Sequence, residues 1–319
     1  MQFIFTVRIG FMGCRTILIL QHSYINLGIV MSKPVHQLLC CIGIYLLLYS
    51  GVGLAQANVN AAHEIVIRQS LISDIKNEDY YFYRLLQLTL DKTADKWGKA
   101  QIRMLPYRLE DKRLRAGLAH GAVDVLWSPT SMEFEQQLLP VRISLLKELN
   151  NYRVLLIRKD DQPRFSAVKS LDDLRKLKGG IGAQWTDAAI MQHNRLPLVL
   201  AVGYEKLFKM LAAKRFDYFS RGLYQIQSEV NFYPELELKI EQELMLSYPN
   251  PVYFFVNQNN KKLAQRLSEG LIIAQKDGSF DALFNSIPRY QWGIEQLQNS
   301  QRRLIELQPL PASSHHHSL

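Results

Sequence analysis

The sequence predicts an α/β fold in two lobes, each a mostly parallel sheet flanked by helices. Short β-rich runs alternate with stretches in which apolar residues recur at helical spacing. Because strands that alternate with helices pair side by side in parallel, this alternation predicts a sheet with helices on its faces. The alternation breaks at an extended stretch and then starts again, which predicts two such units in the 319-residue chain.

The first unit follows the order strand, helix, strand, helix, strand. Its first strand carries the β-rich run EIVIRQS, and its third, AVDVLWS, is apolar enough to be buried on both faces. Two extended segments, at 142–149 and 152–159, then lead the chain out of the unit. We expect the strands at 64–70, 101–107 and 122–128, and the helices at 79–92 and 109–120.

The second unit begins after a crossover linker at 160–165. Ser170 and Asp173 stand three residues apart, which is the capping-box spacing that marks the start of a helix. The remaining strands of this unit are expected at 181–184, 198–202, 216–219 and 238–244, and its helices at 186–194, 204–213 and 223–230. A final strand at 251–257 and helices at 261–276 and 280–286 return to the first unit.

This order of elements predicts one discontinuous lobe and one continuous lobe. The first lobe would consist of residues 58–158 plus 250–308, and the second of residues 159–249. The tail at 309–319 contains three consecutive histidines and is expected to be disordered. We assign the histidine tract no metal-binding role.

The N-terminal residues have the pattern of a secretory leader. From Met31 a short polar stretch with Lys33 precedes the apolar run 38–54, which is closed by the small-x-small signal ending at Ala57. We therefore expect translation to start at Met31, cleavage of residues 1–57 and a periplasmic protein. A retained membrane anchor is the alternative.

Composition and motifs exclude several functions. All three cysteines lie in the leader, so cysteine-based zinc sites and thiol catalysis are excluded from the mature chain. The mature chain keeps 35 basic and 29 acidic residues, spread along its length, and this is unlike the clustered charge of nucleic-acid-binding proteins. No motif of a hydrolase, metalloprotease or phosphate-binding loop is present. We expect a monomer without cofactor, metal or nucleic-acid partner.

Four segments in order resemble the extracellular solute-binding proteins of family 3, which have the type II periplasmic-binding-protein fold. They read LAHGAVDV at 118–125, SLDDLRKLKGGIGAQ at 170–184, LFKMLAAKRFDYF at 207–219 and KDGSFDALF at 276–284. The resemblance covers residues 64–291 and is to a divergent branch of the family. It implies that a small solute is bound in a cleft between the lobes.

The residues that hold the ligand in amino-acid binders of this family are replaced here. The family places an Arg after the third strand, whereas residues 128–137, SPTSMEFEQQ, contain no basic residue. The family also places an Asp in the second lobe where this chain has Ser220-Arg221-Gly222. The resemblance therefore implies the fold and does not name the ligand.

Two arginines are candidates for binding an anionic group. Arg221 ends a strand beside Gly222, where its guanidinium could bind a carboxylate or phosphate through two hydrogen bonds. The alternative is an ion pair with Asp187 or Glu229. Arg142 begins the segment that leads towards the crossing and could replace the missing first-lobe Arg; ion pairing at the hinge is its alternative.

The other candidates follow predicted strands, because ligands of parallel sheets bind at the carboxyl ends of the strands. Trp185 could stack on a ligand, and Thr186 and Asp187 begin a helix whose N–H groups suit a polar or anionic ligand. Packing between the lobes is the alternative for Trp185, and a helix-start charge is the alternative for Asp187. Ser128 ends the third strand, and Tyr107 follows the second; in the first helix Tyr80 or Tyr81 could face the cleft, and we select Tyr81.

The resulting expectation is a periplasmic protein that captures a small polar solute, in one interpretation an anion, and delivers it to an ABC permease. A ligand sensor for a membrane signalling partner is the first alternative. A dehydratase on the same fold is the second, with only Glu78 and Asp187 as candidate acids. We expect binding without catalysis.

Overall fold

The computed structural model describes residues 63–70, 72–107, 109, 111–299 and 301–310. The predicted leader, its cleavage site and residues 311–319 of the predicted tail lie outside these ranges. Leu310, at the start of that tail, packs against a buried apolar cluster of the second unit.

Twelve strands occur in the described residues. They are β1 (His63–Ile67), β2 (Ala100–Met104), β3 (Leu126–Pro129), β4 (Leu138–Val141), β5 (Tyr152–Arg158), β6 (Gly179–Gly182), β7 (Leu198–Ala201), β8 (Tyr218–Gly222), β9 (Leu238–Ile240), β10 (Leu244–Ser247), β11 (Val252–Asn257) and β12 (Arg303–Glu306).

Helices separate most of these strands within the same described ranges. They are α1 (Glu78–Asp91), α2 (Ala94–Trp97), α3 (Asp111–Ala119), α4 (Met132–Gln137), α5 (Gln162–Ser166), α6 (Leu171–Leu174), α7 (Thr186–His193), α8 (Tyr204–Ala212), α9 (Ile226–Glu229), α10 (Lys261–Lys276), α11 (Ser279–Asn285) and α12 (Pro288–Gln298). The Ser170 hydroxyl caps α6 by accepting a hydrogen bond from the backbone N–H of Asp173, as the sequence predicts.

The first unit contains a parallel pair and a three-stranded sheet. Strands β1 and β2 are parallel, whereas β11 lies antiparallel between β3 and β4. Asp124, the Asp of the LAHGAVDV segment, connects the two sheets: its N–H donates to the Val66 carbonyl (2.8 Å) and its carboxylate accepts from the Val66 N–H (2.7 Å). These two hydrogen bonds explain why the polar residue Asp124 stands within an apolar run of sequence.

The second unit is built on a seven-stranded sheet in the order β12-β10-β5-β8-β6-β7, with β9 paired to β5. Strand β6 is parallel to β7 and β8, and β10 is parallel to β12, whereas β5 is antiparallel to its partners. Strands β5 and β12 both belong to this sheet. The predicted first lobe, 58–158 plus 250–308, includes their residues. The lobe boundaries themselves stay a prediction.

Two chain crossings join the units and lie side by side. The Asn151 carbonyl accepts from the Tyr248 N–H (3.0 Å), and the Asn151 side chain accepts from the Asn250 N–H (2.8 Å). The Asn150 side-chain amide donates to the Asn250 carbonyl. These bonds hold the two connections together where the units meet, and the predicted α/β class with sheets flanked by helices is confirmed.

Candidate functional site

The carboxyl ends of β6 and β8 bring the second-unit candidates together. These strands are parallel neighbours, so Trp185, which follows β6, lies beside Arg221 near the end of β8. The Arg221 guanidinium lies over the Trp185 ring at 4.7 Å from the ring centroid and over Phe219 at 5.0 Å. The predicted grouping of these two residues follows from the strand order.

Arg221 is bound by a carboxylate of its own chain. Its Nε donates to Glu229 Oε2 at 2.7 Å, and its second nitrogen Nη2 donates to Glu229 Oε1. Both residues are buried, and the Tyr204 hydroxyl also donates to Glu229 (2.7 Å). Burial alone lowers the pKa of Arg221, but the charge of Glu229 outweighs it and holds the pKa above its ordinary value. In this structure Arg221 thus forms the ion pair with Glu229 that the sequence offered as an alternative to ligand binding.

Asp187 lies in a second buried network, at the N-terminus of α7. Its Oδ1 accepts hydrogen bonds from Arg153 (2.6 and 2.8 Å), the Tyr248 hydroxyl (2.6 Å) and the Asn250 amide (3.1 Å). Burial raises the pKa of Asp187, but the Arg153 guanidinium outweighs this and lowers the pKa below its ordinary value. Arg153 also donates to the Asn150 side chain at 2.7 Å, so the network reaches both crossings.

Arg153 was missed by sequence reasoning. It stands second in the strand YRVLLIR, whose central residues are fully buried, and the apolar pattern of this strand assigns it no role. The available signal was a buried cation at the end of an apolar strand, a position that requires an acidic partner. That partner, Asp187, was among the candidates.

One hydrogen bond of the site crosses between the two units. The Gln225 side-chain amide, just before α9, donates to the Glu78 carboxylate at the start of α1 (2.6 Å). Glu78 is half-buried. Burial raises its pKa, and the neighbouring Asp79 raises it further.

The carboxyl ends of β1 and β3 form the first-unit side of this region. Asp79 accepts a hydrogen bond from the Trp127 indole at 3.0 Å and forms an ion pair with Arg68, whose guanidinium lies 5.3 Å from the Trp127 ring centroid. Trp127 stacks on Phe82 and is buried. Ser128 is half-buried, and its hydroxyl donates to the carbonyl of Pro129.

Three candidates lie apart from these contacts. Tyr81 is fully buried, and its hydroxyl donates to the Leu145 carbonyl at 2.7 Å, which places it in the core. Tyr107 is exposed, with 55% of its surface accessible. Arg142 forms an exposed ion pair with Glu135 through two hydrogen bonds. Among the residues described, these three share no hydrogen bond with the Arg221 and Asp187 networks.

The Thr186 hydroxyl is buried beside Asp187 without a hydrogen-bond partner in the structure. The described residues contain no cluster of three or more His, Cys, Asp or Glu side chains that could hold a metal ion. None of the helices in the described ranges combines the length and the apolar character that a membrane span requires.

Solved structures share this architecture at low sequence identity. An ancestral arginine-binding protein bound to arginine aligns with a TM-score of 0.53 and 16% identity, over 72% of this chain and 100% of its own. A structure concerning glutathione import in Streptococcus mutans aligns with a TM-score of 0.55 and 14% identity, over 71% of this chain and 95% of its own.

A third similar structure has a different setting. It is a histidine kinase sensor domain with similarity to periplasmic binding proteins, and it aligns with a TM-score of 0.51 and 17% identity, over 72% of this chain and 96% of its own. This chain has the type II periplasmic-binding-protein fold. The resemblance seen in the sequence is thereby confirmed for the fold, while no family model and no curated protein matches the chain.

Proposed function

We propose that this type II fold binds a small polar solute between its two units. The observation that carries the proposal is the Glu78–Gln225 hydrogen bond, because it joins side chains at the strand ends of both units, where ligands of such sheets bind. The neighbouring Arg221 and Asp187 networks supply buried polar groups at the same edge. Since Glu229 occupies Arg221, the proposal covers a solute of either charge.

Among the predicted site residues, Trp185, Thr186, Asp187, Arg221 and Ser128 are the contacts we propose for this solute. Trp185 would form an aromatic wall, and the free Thr186 hydroxyl would donate to or accept from the ligand. Ser128 would contribute from the end of β3. The positions of Tyr81, Tyr107 and Arg142 do not support a contact.

The partner we propose is a membrane transporter of the ABC type. The support is that similar structures include the substrate-binding protein of an amino acid ABC transporter. A sensing role is the second candidate, favoured by the similarity to the histidine kinase sensor domain. Uptake of the identified solute by a strain that lacks this protein separates the two roles. A transport protein is required for uptake, whereas uptake does not require a sensor.

The protein would act after export. We propose that the leader is removed after Ala57 and that the mature protein is a periplasmic monomer. N-terminal sequencing of the protein isolated from a periplasmic extract tests the cleavage site, and light scattering during gel filtration tests the oligomeric state. A chain that starts before residue 58 and stays in the membrane fraction would contradict this part of the proposal.

Binding is tested by a thermal-shift screen of the purified protein against amino acids, amines, organic acids and small peptides. A solute that binds only the folded state stabilises it by RT ln(1 + [L]/Kd), so the melting temperature keeps rising as the solute concentration is raised above Kd. A hit is then titrated by calorimetry and by small-angle X-ray scattering, in which hinge closure lowers the radius of gyration. Turnover of the hit during incubation would instead favour an enzyme.

A further inference from the structure

Three of the four carboxylates in the polar cluster between the two units form ion pairs with arginines of this chain. Each described arginine of the cluster is already paired with an acidic side chain of this chain. The described members are the carboxylates Glu78, Asp79, Asp187 and Glu229 and the guanidinium groups of Arg68, Arg153 and Arg221, with ion pairs Arg68–Asp79, Arg153–Asp187 and Arg221–Glu229. The remaining carboxylate is Glu78.

Glu78 forms no ion pair among the residues that the structure describes. Its hydrogen bond comes from the neutral amide of Gln225, and its nearest covalent neighbour, Asp79, has the same charge. The Arg221 guanidinium acts on it only at longer range and is held by Glu229. Partial burial of an ionised carboxylate costs free energy when no cation replaces the lost water. The position of Glu78 therefore favours a positively charged partner.

Hinge motion between the units would expose Glu78 to a solute. Its side chain is half-buried rather than enclosed, and its hydrogen bond joins the two units. When the units separate by hinge motion, this bond breaks and the carboxylate becomes accessible. A donor group of the solute can then take the place of the Gln225 amide.

Buried acceptors at the same edge also lack donors. The Thr186 hydroxyl and the Asn250 side-chain oxygen, beside Asp187, are buried and have no hydrogen-bond partner in the structure. The Asn250 oxygen can only accept, and its own amide already donates to Asp187. Ammonium and guanidinium groups bring several donors and a positive charge, which suits both a carboxylate without a cationic partner and neutral acceptors that lack donors.

We propose that the bound solute carries a net positive charge, in the form of an ammonium or guanidinium group that contacts Glu78. This inference rests on the proposed solute-binding function and adds the chemical class of the ligand. Glu78 then acts as the residue that selects for charge. Solutes of similar size that lack the cation leave its carboxylate without a partner, and they bind more weakly.

The test compares four probes of similar size on three forms of the full-length protein. The probes are L-arginine and 1,5-diaminopentane as cations, L-glutamine as a neutral solute and L-glutamate as an anion. The variants are Glu78→Gln and, as a matched control, Glu64→Gln. Glu64 lies at the amino end of β1, away from the carboxyl ends of the strands, and forms an exposed ion pair with Arg103. Calorimetric titrations are run at low and high salt.

We expect at least one cationic probe to bind the wild type and the Glu64→Gln variant equally. Glu78→Gln is expected to weaken it by about tenfold or more, because a charge-assisted hydrogen bond is lost. Raised salt should weaken binding to the wild type as well. Equal cation affinity in Glu78→Gln, or binding of L-glutamate alone, would overturn the charge assignment but leave solute binding intact. Absence of any binding partner in the four probes and in the wider screen would overturn solute binding itself.

Discussion

Arg153 and Asp187 form a buried ion pair between the first crossing strand, β5, and the N-terminus of helix α7, with nitrogen–oxygen distances of 2.6 and 2.8 Å. The side chain of Arg153 is only 4% exposed. Tyr248 and Asn250, on the second crossing, donate to the same carboxylate oxygen. The pair therefore connects both crossings to the strand ends of the second unit.

Removal of one partner should destabilise the fold strongly. Asp187→Asn leaves the Arg153 cation buried without its counter-charge, which typically costs about 3 kcal/mol of unfolding free energy. Urea denaturation measures the loss. The control is Asp281→Asn, whose carboxylate forms an exposed pair with Lys147 and should matter little. Equal stability of the two variants would show that the Asp187 network carries no special weight.

The same pair should make stability depend on pH in the acidic range. The pKa of Asp187 in the folded protein lies below its ordinary value of 3.8, because Arg153 stabilises the ionised form. The resulting stabilisation is fully present above the unfolded pKa and is lost as the pH falls through the folded pKa. The unfolding free energy of the wild type should thus drop below about pH 4, and Asp187→Asn should show a smaller drop.

Arg221 and Glu229 should behave as a coupled pair in stability measurements. Arg221→Gln leaves the Glu229 carboxylate buried and unpaired, so it should destabilise the protein by about 3 kcal/mol. The double variant Arg221→Gln with Glu229→Gln should recover much of this loss, with a coupling free energy of about 2 kcal/mol. Additive effects in the double-mutant cycle would contradict the pair.

The order of strands and helices could be predicted because it is written in local patterns. Apolar periodicity located α1 and α10, and the β-rich runs located the parallel strands of both units. The expected grouping of Trp185 with Arg221 followed from the rule that parallel strand ends share one edge. Strand pairing at the unit borders could not be predicted, because β12 pairs with β10 across more than fifty residues of sequence.

The partners of the charged candidates could not be predicted from the sequence. Whether Arg221 meets a ligand or Glu229 depends on how α9 packs behind β8, and the sequence permits both. The free energy of a buried charge depends on groups distant in sequence, as Arg153 and Asp187 illustrate across 34 positions. The position of Tyr81 could not be predicted either. The helical spacing allowed a position in the cleft, but tertiary packing places the ring in the core.

Replacement of Glu78 should stabilise the ligand-free protein in a pH-dependent way. Burial and Asp79 raise the pKa of Glu78 above its ordinary value of 4.5, so ionisation is less favourable in the folded state than in the unfolded state. Below the unfolded pKa both states are protonated and there is no penalty; above the folded pKa the penalty is complete. Glu78→Gln should thus raise the melting temperature at pH 7 and have little effect at pH 3.5. A lower melting temperature at pH 7 would contradict this account.

Gly222 should be required for the approach of Arg153 to the strand ends. A methyl group at this position would lie 2.6 Å from the Tyr224 ring and 2.8 Å from Arg153 Nη1, closer than van der Waals contact allows. Gly222→Ala should therefore displace the guanidinium and cost about 1–3 kcal/mol of unfolding free energy in urea denaturation. The control is Gly117→Ala inside α3, where the nearest atom to the new methyl group is 3.6 Å away. That variant should be stabilised by about 0.5–1 kcal/mol, because alanine restricts the unfolded chain and favours the helix. If Gly222→Ala were as stable as Gly117→Ala, the close approach of Arg153 would not depend on the missing side chain.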